Sequence, residues 1–169
     1  ITINTIEFNI ELDNVVPESC FGNCDGIASV IANGGTPNYN YLWNPTGQIS
    51  AQATGLCAGN YIATVTDNNN CKDSISTVII SPDELSIVAS ENKAISCNGN
   101  RDGNLIATVS GGKPNYDYSW NTTPVQNTQI ATNLGAGTYV VTVIDDNGCS
   151  TQDTIVLTEP NIILDNSDI

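Results

Sequence analysis

The sequence predicts an all-β protein built as two tandem β-sandwich modules, each stapled by disulfides. Three observations carry this prediction. First, residues 20–82 are written a second time as residues 97–160; a tandem repeat of that size reads as an array of modules. Second, short runs of Val, Ile, Thr and Tyr alternate with clusters of Gly, Asn, Asp and Pro, with no sustained 3.6-residue apolar period. That is the pattern of an all-β sandwich. Third, six cysteines stand in modules of roughly 75–80 residues, each too small to hold a deep core without a covalent staple.

The elements follow in order. In the first module, strands are expected at 11–15, 28–33, 39–43, 49–53, 60–66 and 74–80. In the second they are expected at 85–90, 105–110, 116–120, 128–132, 138–144 and 151–158. The runs at 67–70 and 145–148 are hairpin turns, because Asn and Gly tolerate positive φ. The module boundaries fall at 9–82 and 83–160. Residues 1–8 read as the last strand of a preceding module and 161–169 as the first strand of a following one, so the chain is expected to be a segment of a longer array. No signal-peptide pattern and no transmembrane run is present in it. Only Ser81-Pro82-Asp83 separates the two modules. Pro82 fixes its own φ and biases Ser81 towards extended backbone, which predicts end-to-end stacking with limited bending.

An even cysteine count in small repeated modules points to disulfides and an oxidising compartment. Neither a His nor a Cys-x-x-Cys pair is available for a zinc site. The duplication prunes the pairings. The second copy has only Cys97 and Cys149, which are expected to pair, and their counterparts Cys20 and Cys71 are expected to do the same. Cys24 and Cys57 remain, and they are lost together in the second copy, as Arg101 and Gly135. This scheme asks Cys20 and Cys24 to reach partners on either side of a strand about 24 Å long, which is feasible but not roomy.

The net charge is −14, with Lys72, Lys93, Arg101 and Lys113 as the four cations. Nucleic-acid binding needs clustered Lys and Arg against phosphate and is excluded as a class. Anionic membrane surfaces are disfavoured for the same reason. The charge reads as a solvated acidic surface that keeps long chains apart.

Aromatic residues fall in register. Tyr39, Tyr41 and Trp43 share one strand face, as do Tyr116, Tyr118 and Trp120. A sugar-binding platform would use such a row, but so would a sandwich core. The core reading is preferred, because the intervening positions are polar or variable. Tyr61 and Tyr139 each follow Ala-Gly-x at the start of a strand, where immunoglobulin-like sandwiches place a tyrosine corner that bonds back to nearby backbone. Trp43, Trp120, Tyr61 and Tyr139 are thus assigned structural roles.

Catalysis finds no support. The chain has no His or Met, and no nucleophile elbow, phosphate loop or His-Glu-x-x-His helix. Asp145 and Asp146 are adjacent, but they lie in a turn that is not expected to bury either of them. A calcium site is a weak candidate. Asn98, Asn100 and Asp102 match the opening of an oxygen-ligand loop. Position 12 of that loop is Val109, inside a strand, and the first copy has Phe21 in place of Asn98. A tight turn, with Asp25 or Asp102 bonding backbone amides, is preferred. No cofactor is expected.

Several motifs together resemble the SprB-type repeat of very large surface proteins of Bacteroidota. They are Cys-x-Gly-x-x-Asp-Gly, Gly-Gly-x-Pro-x-Tyr-x-Tyr-x-Trp, and Leu-x-Ala-Gly-x-Tyr-x-x-x-Val-x-Asp-x-x-x-Cys, followed by a closing Pro. The resemblance covers both modules. The middle segment is also similar to PKD domains, although Trp43-Asn44-Pro45 and Trp120-Asn121-Thr122 depart from their pattern. The resemblance implies immunoglobulin-like or PKD-like sandwiches in a secreted, outer-membrane-associated adhesin or filament. It also implies export by the type IX system and a role in gliding or adhesion. The implied partners are neighbouring repeats, other copies in a filament, and glycans or surfaces, without membrane insertion. Asp73-Ser74-Ile75 and Asp153-Thr154-Ile155 resemble the O-glycosylation sequon of secreted proteins of that phylum, and strand alternation turns Ser74 and Thr154 outward. The alternative function is a carbohydrate-binding accessory module of a secreted enzyme.

Overall fold

The computed structural model describes residues 7–162, and every residue in them that is regular is β. The chain divides into two compact units, Ile1–Pro82 and Asp83–Ile169. The strand expectations for residues 1–8 and 161–169 fall outside the described residues, except that Glu7, Phe8, Asn161 and Ile162 are not in strands.

The first unit holds β1 (Asn9–Val16), β2 (Gly26–Asn33), β3 (Asn40–Asn44), β4 (Gln52–Leu56), β5 (Gly59–Thr66) and β6 (Lys72–Ile79). They form two three-stranded antiparallel sheets, in the orders β1-β2-β4 and β3-β5-β6. The second unit repeats this with β7 (Ser86–Lys93), β8 (Gly103–Ser110), β9 (Asp117–Trp120), β10 (Ile130–Leu134), β11 (Gly137–Ile144) and β12 (Ser150–Leu157). Its sheets run β10-β8-β7 and β12-β11-β9.

Each core lies between the inner faces of its two sheets, where alternation places every second residue. In the first unit Ala28, Val30, Trp43, Ala53, Leu56, Ala63, Val65 and Ile79 are buried together; in the second, Leu105, Ala107, Trp120, Ala131, Leu134, Val141, Val143 and Leu157. Trp43 and Trp120 are both 0 % exposed. Each indole N–H still finds a partner, donating to the carbonyl of Ser50 (2.9 Å) or Thr128 (3.0 Å). The Trp is therefore a central buried post and not part of a binding platform. Tyr39, Tyr41, Tyr116 and Tyr118 are half-buried against the same cores.

The fourth strand of each unit begins later than its residue types suggest, at Gln52 and Ile130 instead of 49 and 128. The indole bond above holds Ser50 and Thr128 in a loop, and the residues that fit the core are Ala53 and Leu56, or Ala131 and Leu134. Gly26 and Gly103 open β2 and β8 where the sheets converge. A β-carbon there would lie 2.6 Å from Ile79 in the first unit and 2.8 Å from Leu157 in the second, so only glycine fits.

Within each unit the two ends are distinct. In the first, β5 starts beside Cys57 and ends at the turn leading to Cys71. Its eight residues separate these ends by about 23 Å.

Candidate functional site

The disulfide at one end of the first unit is the first feature to place. Cys24 and Cys57 are bonded, across a sequence separation of 33. The other two expected bridges, Cys20–Cys71 and Cys97–Cys149, are corrected: Cys71 and Cys97 are free, exposed thiols. The reason is topological. Cys20 lies in the same loop as Cys24, with its carbonyl accepting from the Asn23 N–H, whereas Cys71 lies at the far end of the β5–β6 hairpin. Cys97 and Cys149 are separated in the same way by β11. A disulfide requires α-carbons within about 7 Å. In native protein, alkylation before any reduction should label Cys71 and Cys97 and spare Cys24 and Cys57. A Cys71 peptide recovered in linkage to Cys20, or a Cys97 peptide linked to Cys149, would overturn the correction.

Around the Cys24–Cys57 bridge sits a carboxylate that the sequence reading missed. Glu18 is 3 % exposed. Its Oε1 accepts from the N–H groups of Cys24 (3.0 Å) and Ala58 (3.2 Å), and its Oε2 accepts from that of Gly22 (3.3 Å). One side chain thus ties together both loops that carry the bridge. The nearby Ser81 hydroxyl and the three backbone N–H groups together hold this carboxyl below its usual range against the opposing effect of burial, although no hydrogen bond of normal geometry reaches Ser81 Oγ. The second unit rearranges this position. Ile95 stands where Glu18 would be and is 3 % exposed, while Glu159 stands in place of Ser81. The Gly99 N–H, the counterpart of that of Gly22, now donates to Glu159 Oε2 (2.7 Å). The same turn is held from the opposite strand. A paired exchange of Glu and Ser for Ile and Glu was visible in the repeat, but only the packing shows its meaning.

The opposite end of each unit is built on a buried aspartate. Asp67 and Asp145 are 2 % and 5 % exposed, so the expectation that the Asp145-Asp146 turn buries neither residue is corrected. Asp67 accepts from the N–H groups of Thr36 (2.9 Å), Asn69 (2.9 Å) and Cys71 (2.8 Å). Asp145 accepts from those of Lys113 (2.8 Å), Asn147 (2.9 Å) and Cys149 (2.9 Å). Each joins the Gly-Gly-x-Pro loop to the β5–β6 or β11–β12 turn. The Thr36 N–H leads in lowering Asp67. For Asp145, burial pushes the carboxyl up, but the backbone N–H groups outweigh it and the net shift is downward. A general acid needs a raised carboxyl; these are held ionised and serve to fix turns.

Each calcium candidate is hydrogen-bonded within the protein. Asp102 Oδ1 accepts from the Ser96 N–H (3.1 Å) and Oδ2 from Lys93 Nζ (3.1 Å). Asn98 donates to Glu159 (2.9 Å) and Asn100 to the Ser96 hydroxyl (2.9 Å). Asn100 and Asp102 thus meet at Ser96, Lys93 pairs with the Asp102 carboxylate, and Asn98 is engaged by Glu159. In the first unit Asp25 accepts from the Ser19 N–H (2.9 Å) and from its hydroxyl. The sulfurs of Cys24 and Cys57 adjoin Glu18, but their bond to each other leaves no thiolate for a metal.

These carboxyls make a pH prediction. The backbone Ser96 N–H leads in bringing Asp102 down to about 2, and Glu18, Asp25, Asp67 and Asp145 are all lowered. A folded-state pKa below the unfolded value contributes stability above the unfolded pKa, and that stability is lost as pH falls through the folded one. Melting temperature should therefore hold from neutrality to about pH 5 and fall steeply below about pH 4. Asp67→Asn should flatten that fall in the first unit. A melting temperature unchanged down to pH 2.5 would contradict the assignment.

The two structural tyrosines close their corners. Tyr61 donates to the Cys57 carbonyl and Tyr139 to that of Gly135, both at 2.9 Å. Ser74 and Thr154 are exposed on β6 and β12. Their two motifs are not equivalent in position, since Ser74 lies opposite Thr64 and Thr154 opposite Val140. A two-residue slide preserves the outward face. The aspartates of these motifs point inward to the neighbouring sheet: Asp73 accepts from the Ile10 N–H (3.0 Å) and Asp153 from that of Ala89 (2.8 Å).

The second unit also carries a hollow of about 490 Å³ beside β10, lined in part by Arg101, Asn121, Thr122, Asn133, Leu134 and Tyr139. Arg101 and Gly135 occupy the positions of Cys24 and Cys57.

Sequence comparison finds a family likeness in parts of both units. The pattern that defines the SprB repeat matches residues 12–48 and residues 93–124. At these two segments the chain is similar to the SprB repeat. Together they span less than half of it, running from within β1 to just past β3 in the first unit and from the end of β7 to just past β9 in the second. Each matched segment contains the Cys-x-Gly loop, the Gly-Gly-x-Pro loop and the central Trp; the Tyr corner and the buried Asp of each unit lie beyond it. A search of curated proteins finds no match. Solved structures with similar backbones include a C-terminal fragment of intimin in complex with the intimin-binding domain of its translocated receptor, at 13 % identity and TM-score 0.43. That match covers 89 % of this chain and 63 % of that one. Others are a tetra-tandem repeat from the extending region of a large adhesion protein, at 15 % identity and TM-score 0.33, covering 90 % and 49 %, and the first eight immunoglobulin domains of the Down syndrome cell adhesion molecule, at 11 % and 0.41, covering 91 % and 25 %. Among the described residues no helix is long and apolar enough to cross a membrane.

Proposed function

We propose that this chain is a structural repeat segment of a secreted, cell-surface adhesin or filament, spacing and presenting an adhesive region away from the cell. The observation that carries the reading is the repeated SprB segment within a sandwich that the chain enters at one end and leaves at the other. The first strand starts beside the Gly34-Gly35 turn, where Asn9 pairs with Asn33. The last strand ends at the opposite end, where the Glu18 N–H donates to the Ile80 carbonyl (3.1 Å). A module with opposite entry and exit suits serial extension. The buried carboxylates are spent on fixing loops, which favours a spacer over a reactive site. On this reading the parent chain leaves the cell through the type IX system, is moved along the surface in gliding species, and contacts neighbouring repeats and other copies in a filament.

The test is made on the host cell. Antibodies to these two modules should label intact cells, and electron microscopy should place a tip label nearer the cell when both modules are deleted and farther out when they are duplicated. A tip distance that does not respond, or labelling only after cell lysis, would refute it.

The same reading includes O-glycosylation of Ser74 and Thr154, supported by their exposure on outer strands, where a sugar would block unwanted strand pairing. Protein purified from its own host should exceed the polypeptide mass, with the excess on those two peptides. Native protein at the bare mass would end the idea.

A further inference from the structure

We propose that the second module binds a carboxylated sugar residue in the hollow lined by Arg101 and Tyr139. The site arises where the two copies differ. In the first module the Cys24–Cys57 bond occupies this position. In the second, Arg101 and Gly135 stand there instead, both next to the hollow, with Arg101 lying across Gly135: a β-carbon there would be 3.4 Å from Arg101 Cγ and 3.7 Å from Nη1. Arg101 is the one cation lining this hollow. The chain carries 18 acidic residues against four cations. Lys93 pairs with Asp102 and Lys113 with Asp146; among the described residues Lys72 and Arg101 have no carboxylate partner, and of these two it is Arg101 that lines the hollow. A planar guanidinium with free donors matches a carboxylate in two parallel hydrogen bonds.

The remaining lining suits hydroxyls. The Asn121 Oδ1 accepts from the Val140 N–H (2.8 Å), which leaves its amide hydrogens to donate outward. The Thr122 hydroxyl donates to the Pro124 carbonyl (2.7 Å) and keeps its lone pairs to accept. Asn133 stands at φ 58° on the rim with its amide exposed, where the first module has Gly55. The Tyr139 hydroxyl is committed to Gly135, so its ring offers a surface for the C–H face of a sugar. Donors, acceptors, one cation and a half-buried ring in about 490 Å³ are the complement of a uronic-acid ring, and the volume lies within the range of small-ligand sites.

The test is a titration of the isotope-labelled chain, followed by amide and guanidinium NMR, with galacturonate, galactose and acetate as probes. Galacturonate should shift Arg101, Asn133 and Tyr139 and leave the first module unmoved. Galactose and acetate should each bind about tenfold more weakly. Arg101→Gln should weaken galacturonate by about tenfold and abolish its advantage over galactose, with the rest of the spectrum unchanged. Arg101→Cys with Gly135→Cys, which copies the bridge of the first module, should form the bond and remove binding while the module stays folded. Absence of shifts at tens of millimolar ligand, equal binding of acetate and galacturonate, or undiminished binding in either variant would each overturn the proposal.

Discussion

Trp43→Ala should unfold the first unit at moderate temperature while the second keeps its own transition. Trp43 is completely buried, and its ring packs against residues of both sheets. Truncating a buried Trp to Ala costs about 3–5 kcal/mol, because apolar contact is lost and the cavity closes only partly. A unit of this size has little more than that in reserve. The readout separates the units cleanly. The chain has two tryptophans, so Trp120 becomes the only indole and its fluorescence reports the second unit, while calorimetry follows the first. Trp120→Ala should give the mirror result. A single joint transition shifted by either substitution would show that the two cores do not fold as separate units.

Cys24→Ala with Cys57→Ala should lower the stability of the first unit by about 4 kcal/mol. That figure is the chain-entropy value for a loop of this span. The bridge joins positions 33 apart and closes the loop between β1 and β2 onto the loop before β5. Glu18 still ties the same two loops in the variant, so the unit should remain native in cold buffer and melt early on heating. Urea titration of the variant against the parent measures the loss. An unchanged midpoint would show that Glu18 alone holds this end. The second unit already works without the bridge: Ile95 fills the core and Glu159 takes over the turn.

Much of this architecture was legible in the residues. Alternation of apolar and polar positions located all twelve strands, because a side chain on a strand has only two faces to choose between. The tyrosine corners were marked by the Ala-Gly-x-Tyr spacing, since a bond four residues back is a local event. The start of the fourth strand was misplaced because the Trp indole captures the preceding loop, a contact between two segments whose spacing says nothing of it.

The limits of sequence reasoning lie in which distant segments meet. Repetition determined the module, its core and its strand order of use. It could not determine which cysteines share an end of the sandwich, because that follows from the direction in which β5 and β11 carry the chain across the fold. Nor could it show that Glu18 and Glu159 hold equivalent turns from different segments, that Asp67 and Asp145 are buried against backbone amides, or that Arg101 and Tyr139 line one hollow. Local spacing and alternation are properties of neighbours along the chain, and a single sequence displays them directly. Burial, shared ends and the walls of a hollow belong to segments tens of residues apart, and only the packed tertiary structure brings those together.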